Sequence, residues 1–396
     1  MTQTLKRRIG LPLLVAYGVG VMVGAGIYVL VGVVAGQAGI YAPLAFLIAG
    51  MVALPSALSY AELATRMPEA AGEVAFVEAG FQNRPLAVLL GVAVVVAGVV
   101  SAAAVLRGGV GYFVTLVDIP PQTAIVAAGI VLTLVAIIGV LESLTFAAIF
   151  TLAEVIGLFL VAWAGFSAEP SGDWAMPPMP HWGGIASAVA LCFFAFIGFE
   201  DLENMAEEVR DPTRILPRGI LLALLITAGL YALVSFAAVR STPIAALAVS
   251  EQPLALVWEN ARGTSAGFLS AIAVAAAVNG VLAQIVMAAR VLFGLGRRAS
   301  WLSVFTHAHP RFGTPVLATF VSGVVVIVAA LALPVATLAE ATAYVLFGVF
   351  ILVNIALILL KKRLPDAPFR VPVWVPWTGL ILSVLAMGAS LMGGAG

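Results

Sequence analysis

Stretches of about 20 or more apolar residues follow one another along the whole chain, each parted from the next by a short polar, proline-rich or charged break. A helix of about 20 such residues covers the roughly 30 Å hydrocarbon layer of a bilayer, so a chain made of them must fold in lipid. Breaking the sequence at that punctuation gives eleven candidate spans, at 10–35, 40–66, 84–117, 121–141, 145–167, 184–208, 214–239, 264–296, 314–333, 337–361 and 373–393. Composition closes the alternative. The chain is 63% hydrophobic and 10% charged, whereas soluble domains run at roughly 45–50% apolar and about 25% charged. It lacks the polar residues to cover a water-facing surface, and one polytopic domain over 1–396 is expected, with no appended soluble domain.

Nineteen Lys+Arg balance nineteen Asp+Glu, and no long basic run points to nucleic acid. One cysteine, Cys192, excludes a disulfide framework and thiolate zinc sites, and His181, His307 and His309 are too scattered for a metal centre. The phosphate-binding GxxxxGK[ST] loop, HExxH and GxSxG are all missing, so no cofactor and no hydrolytic chemistry are expected. The basic opening MTQTLKRRIG leads into an apolar run too long for a signal peptide, and no cleavable leader is expected. If Lys6, Arg7 and Arg8 are cytoplasmic, alternate loops also collect Arg66, Arg84, Arg210, Arg214, Arg218, Arg297, Arg298, Arg311, Lys361, Lys362, Arg363 and Arg370. The opposite loops hold Arg107, Arg240 and Arg262. The positive-inside rule therefore places the N-terminus in the cytoplasm; eleven spans put the C-terminus outside, and the count is ten if the last segment, which ends in MGGAG, lies in the interface instead.

Two spans carry unusual punctuation. Span one clusters Gly18, Gly20, Gly24 and Gly26 at mid-depth, which fits either a helix break or close small-xxx-small packing. Span six runs from an apolar half through Gly198 into the acidic FEDLENMAEE, and charge cannot begin at mid-membrane on a lipid-facing helix. Two interrupted helices, five spans apart, are the pattern of an inverted-repeat transporter. A broken helix exposes N–H groups on one side and C=O groups on the other. A zwitterion could then be held without ionised side chains. Its carboxylate would rest on the amides of Gly24, Ala25, Gly26 and Ile27, and its ammonium on the carbonyls near Met22, Val23, Phe194 and Ala195.

Four stretches carry a family resemblance: GVMVGAGIYVLVG in span one, LAFLIAGMVALPSALSYAELATRMPEAAGE through span two, FFAFIGFEDLENMAEEVRDPTRILPRGI in span six, and HPRFGTPV before span nine. DAPFRVPVWVP before the last span also fits. The chain resembles the amino acid–polyamine–organocation (APC) family of permeases. That resemblance implies an all-α integral membrane protein of the five-plus-five inverted-repeat (LeuT-type) fold. Repeat one would cover about 10–167, repeat two about 184–361, and an extra helix about 373–393. Most relatives have twelve spans. The implied function is secondary transport of an amino acid by alternating access, with the substrate, a proton and membrane lipid as partners and the oligomeric state open.

The resemblance also weights individual residues. Phe193, Phe194, Phe196 and Phe199 surround the span-six break, and similar permeases use an aromatic here as a gate, a role that Phe194 matches best. With Val23, Ile27, Phe196 and Ile197 they make the walls apolar, which favours a neutral, hydrophobic substrate over arginine or a polyamine. Glu200 follows the break where relatives carry an acid on the inner pathway, which makes it one candidate for proton coupling, whereas Glu207 and Glu208 read as a solvated helix end. Arg107 is expected to pair with Asp118 or reach the interface, Glu62 to anchor a loop, and His307 and His309 to be exposed; Asn279 and Gln284 could bind substrate or join helices. The inner part of span eight, NGVLAQIVMAARVLFGLG, has no Ser or Thr for the sodium site known in relatives. Proton-coupled relatives can carry a Lys in span five; Glu154 stands at or next to that place. An acid ten residues into an apolar helix is costly when ionised and could carry the coupling proton; pairing with Arg290 or a neighbouring helix is the alternative. A channel, an enzyme and a non-transporting sensor are the rival classes.

Overall fold

The computed structural model describes residues 9–24, 26–68, 72–139, 144–175, 178–206, 208–309 and 312–393. The first apolar stretch forms α1 (Leu11–Val23) and α2 (Gly26–Ala38), and the second forms α3 (Ala42–Arg66). A short α4 (Gly72–Phe81) leads to α5 (Arg84–Phe113), α6 (Pro121–Ile138) and α7 (Leu144–Ser167). After α8 (Gly172–Ala175), α9 (Trp182–Phe194) opens span six, which ends in a 3-10 turn over Glu200–Met205. α10 (Pro212–Ser241) is followed by two loop helices, α11 (Ile244–Val249) and α12 (Pro253–Arg262), and then by α13 (Gly267–Arg298). α14 (Val316–Ala332), α15 (Val335–Arg363) and α16 (Trp374–Gly393) complete the chain. Helices thus occupy every stretch expected to span. Among the described residues seven helical runs are long and apolar enough to cross a membrane, and α1, α9, α14 and the last helix are shorter apolar helices.

Lipid explains the inverted surface. On α7, Ile149, Leu152, Ile156, Phe159 and Trp163 are exposed at three- and four-residue intervals, while Thr151, Glu154, Leu158, Val161 and Ala162 are buried. A greasy stripe outward and polar groups inward is the arrangement a bilayer favours. Helix ends are closed by arginines. Arg107 donates to the Ala330 carbonyl at 2.7 Å, capping α14, and makes no ion pair with Asp118 among the described residues; the unsatisfied last-turn carbonyls of α14 are the stronger attraction. Arg240 does the same for α7 through the Gly165 and Ala168 carbonyls at 2.9 and 2.7 Å.

The expected anchor at Glu62 is a buried network. Its carboxylate, fully buried, meets Arg66 at 2.7 Å and Lys361 at 2.6 Å, and accepts the Val371 N–H at 2.8 Å. Lys361 also donates to the Val371 carbonyl at 2.6 Å. These bonds tie α3 and α15 to the segment that leads into α16. Removing one partner of a buried pair strands the others, at a cost of about 3–5 kcal/mol. Glu62→Ala should therefore lower the melting temperature of the purified protein markedly, whereas the exposed His307 changed to Ala should leave it unmoved.

Candidate functional site

Both expected breaks are present. α1 stops at Val23 and α2 resumes at Gly26. Gly24 takes φ +27° and ψ −149°, a conformation that a side chain would strain. Its N–H closes the last turn of α1 on the Gly20 carbonyl at 3.1 Å, so that amide is not left for a carboxylate. Ala25 lies outside the described residues. The first amides of α2, on Gly26 and Ile27, remain without intrahelical partners.

In span six, α9 ends at Phe194 and the chain tightens through bonds from the Ala195, Phe196 and Ile197 amides to carbonyls three residues back. Gly198 then turns at φ +122°, where an added Cβ would sit 2.6 Å from Val21 Cγ1 and 3.3 Å from the Met22 nitrogen. The second break is thus pressed against the first. A Cβ on Gly26 would meet Ala195 Cα at 3.5 Å.

One hydroxyl joins them. Tyr231 of α10 stands with its oxygen 2.6 Å from the Met22 carbonyl and 2.7 Å from the Ala195 carbonyl, and its single proton is shared between the two. These are two of the carbonyls expected to receive an ammonium group, and they converge on one point. Tyr231 escapes sequence reasoning because one tyrosine in an apolar span reads as core. Met22, Val23, Ile27, Phe194, Ala195, Phe196, Ile197 and Phe199 are all buried, so the arrangement is closed.

The four phenylalanines separate by contact. Phe193 packs on Phe347 and Phe350, Phe196 on Tyr231, and Phe199 on Tyr60 and Phe350. Phe194, 5% exposed, makes no ring contact among the described residues. Behind the span-one break lies Glu154, 1% exposed, with neither carboxyl oxygen hydrogen-bonded among the described residues. It is therefore not paired with Arg290. Its backbone carbonyl accepts the Tyr28 hydroxyl at 3.1 Å, and the Tyr28 carbonyl accepts Tyr112 at 2.5 Å, bracing α7, α2 and α5 together. A Cβ on Gly20 would overlap the Thr151 hydroxyl, so α7 lies directly on α1.

On the side that carries the N-terminus, Glu200 accepts the Gly198 N–H at 3.0 Å, and Gln284 donates to Asp201 at 3.3 Å. Gln284 thus joins α13 to span six. A small cavity runs from Ile197 past Glu200, Asp201 and Gln284 to Ser101 and Glu73. Glu207 lies outside the described residues, and Glu208 is half-buried, its carbonyl accepting the Ile9 N–H at 3.0 Å.

With this geometry in place, a family profile described as amino acid permease matches residues 9–396. The chain belongs to that family. Among its relatives, the branched-chain amino acid permease BcaP of Bacillus subtilis (strain 168) is 30% identical over 93% of this chain and 84% of its own length. The methylthioribose transporter of the same organism is 30% identical over 92% and 83%. The vacuolar cationic amino acid transporter 4 of Arabidopsis thaliana is 32% identical over 89% of this chain and 63% of its own length.

Proposed function

We propose that this permease carries a neutral, hydrophobic amino acid across the cytoplasmic membrane by alternating access, driven by protons through Glu154. The observation that supports this most directly is the convergence of the Met22 and Ala195 carbonyls on the Tyr231 hydroxyl. A protonated amine brings three donors where the hydroxyl has one, and it takes over that point while the carboxylate rests on the amides of Gly26 and Ile27. The walls are apolar and contribute dipoles rather than full charge. Phe194 is the gate over the substrate. The repeats at about 10–167 and 184–361 rock against each other, with the N-terminus in the cytoplasm as the cation distribution requires. No covalent intermediate is formed.

A second reading has its own support. Glu200 and Asp201 line the cavity next to the break and could receive a distal positive group, and the Arabidopsis relative is named for cationic amino acids. Competition decides between them. In proteoliposomes, excess leucine or alanine should displace labelled leucine, and lysine, ornithine and putrescine should not. Displacement by the cations at equal concentration would overturn the neutral assignment.

A further inference from the structure

On the side that carries the N-terminus, α4 meets the acidic turn of span six. Gly72 begins α4 with no room for a side chain, since a Cβ there would lie 2.6 Å from Glu203 Oε1. The next residue, Glu73, donates its backbone N–H to that same oxygen at 3.0 Å. That bond brings the two side chains together, and they are 4% and 1% exposed. Glu203 Oε2 has no hydrogen-bond partner among the described residues, and neither has the hydroxyl of Tyr60 from α3. Phe76, Phe199 and Phe350 hold the fully buried Tyr60 ring edge-on, and Glu73, Glu203, Glu200 and Asp201 lie around its hydroxyl.

Other groups around the pair do not neutralise it. Span six adds Glu200 and Asp201, and α13 adds Gln284, whose amide is spent on Asp201. Tyr17 of α1 lies near Asp201, Glu208 and Arg290 of α13. α5 and α15 line the adjoining cavity with Ser101 and apolar side chains. Glu78, also on α4, is paired with Arg298. No ion pair reaches Glu73 or Glu203 among the described residues. Two adjacent buried carboxylates cannot both stay ionised. Burial holds the Glu73 carboxyl above the usual carboxylate range.

We propose that Glu73 and Glu203 hold one proton between them, with a water bridging Glu203 Oε2 to Tyr60, and that this shared proton latches α4 onto span six. Losing the proton repels the two carboxylates and frees α4. The closed, buried form binds the proton more tightly than an open, hydrated one, so a rise in pH on this side favours opening and a fall favours closure. The latch is independent of the substrate and of Glu154; only its part in transport rests on the alternating-access reading.

Hydrogen exchange on the full chain in detergent tests it without substrate. The readout is protection of α4, residues 72–81, corrected for the intrinsic pH dependence of exchange, between about pH 6 and 8. Wild-type protection should fall with rising pH, approaching about tenfold per pH unit, the limit for one proton. In Glu203→Gln, and separately in Glu73→Gln, an amide N–H replaces the shared proton, and protection should stay within about twofold throughout. Peptides from mid-depth α5 report whether each variant is folded, so a failure of one leaves the other decisive. Wild-type protection that ignores pH, or a fall that persists in a folded Gln variant, would overturn the latch.

Discussion

Glu154→Gln should abolish uptake driven by a pH gradient while leaving substrate binding and exchange intact. The carboxyl is buried in α7, behind the span-one break, and neither oxygen has a hydrogen-bond partner among the described residues. An ionised carboxylate in that setting would forfeit its hydration with nothing to replace it, so the packing accepts the neutral acid. Glutamine has the same shape and is always neutral. It reproduces the loaded form, so the bundle should fold, close and bind, but it cannot release a proton on the other side. A one-unit gradient supports about tenfold accumulation when one proton moves with each substrate, because one pH unit corresponds to a factor of ten. In proteoliposomes the wild type should approach that ratio and the variant should stop at equal concentrations, with counterflow retained in both. A variant that still accumulates substrate with the gradient, or a wild type that needs sodium, would remove Glu154 from the coupling.

What could be read beforehand was what local chemistry encodes. Glycine density in span one and the onset of charge after Gly198 announced the breaks, because a helix cannot hide either feature from lipid. Glu62 was legible as an anchor because an acid at the end of an apolar run needs a local partner. Contacts made through space were not legible. Tyr231 reaches Met22 across 209 positions, and Glu203 receives the Glu73 amide across 130. No periodicity records such approaches. Arg107 illustrates the same limit: Asp118 was the acid nearby in sequence, but the carbonyl end of α14 lies closer in space. Gln284, for which substrate and helix contact were both open, bonds to Asp201 across 83 positions. Gly24 shows that a break can be recognised before its hydrogen bonds are, since its amide belongs to the turn behind it.

Gly26→Leu should abolish substrate binding, and Gly26→Ala should not. A Cβ at position 26 would lie 3.5 Å from Ala195 Cα and 3.6 Å from Ala195 Cβ, which is ordinary contact. One methyl therefore fits without moving the span-six break. The isobutyl group of leucine extends beyond that space into the junction of the two breaks and covers the first amides of α2. A carboxylate denied two such donors loses about 1.5–3 kcal/mol for each, which weakens binding by about a hundredfold or more. Overpacking costs about another 1–3 kcal/mol in the closed form, so expression and melting temperature must be measured alongside affinity. The informative result is the pair: the alanine variant binding within a few-fold of wild type, and a folded leucine variant showing no thermal shift with substrate at concentrations that saturate the wild type. Should the leucine variant bind and transport normally, the amino acid sits elsewhere, and the contact between the two breaks is a packing feature of the bundle.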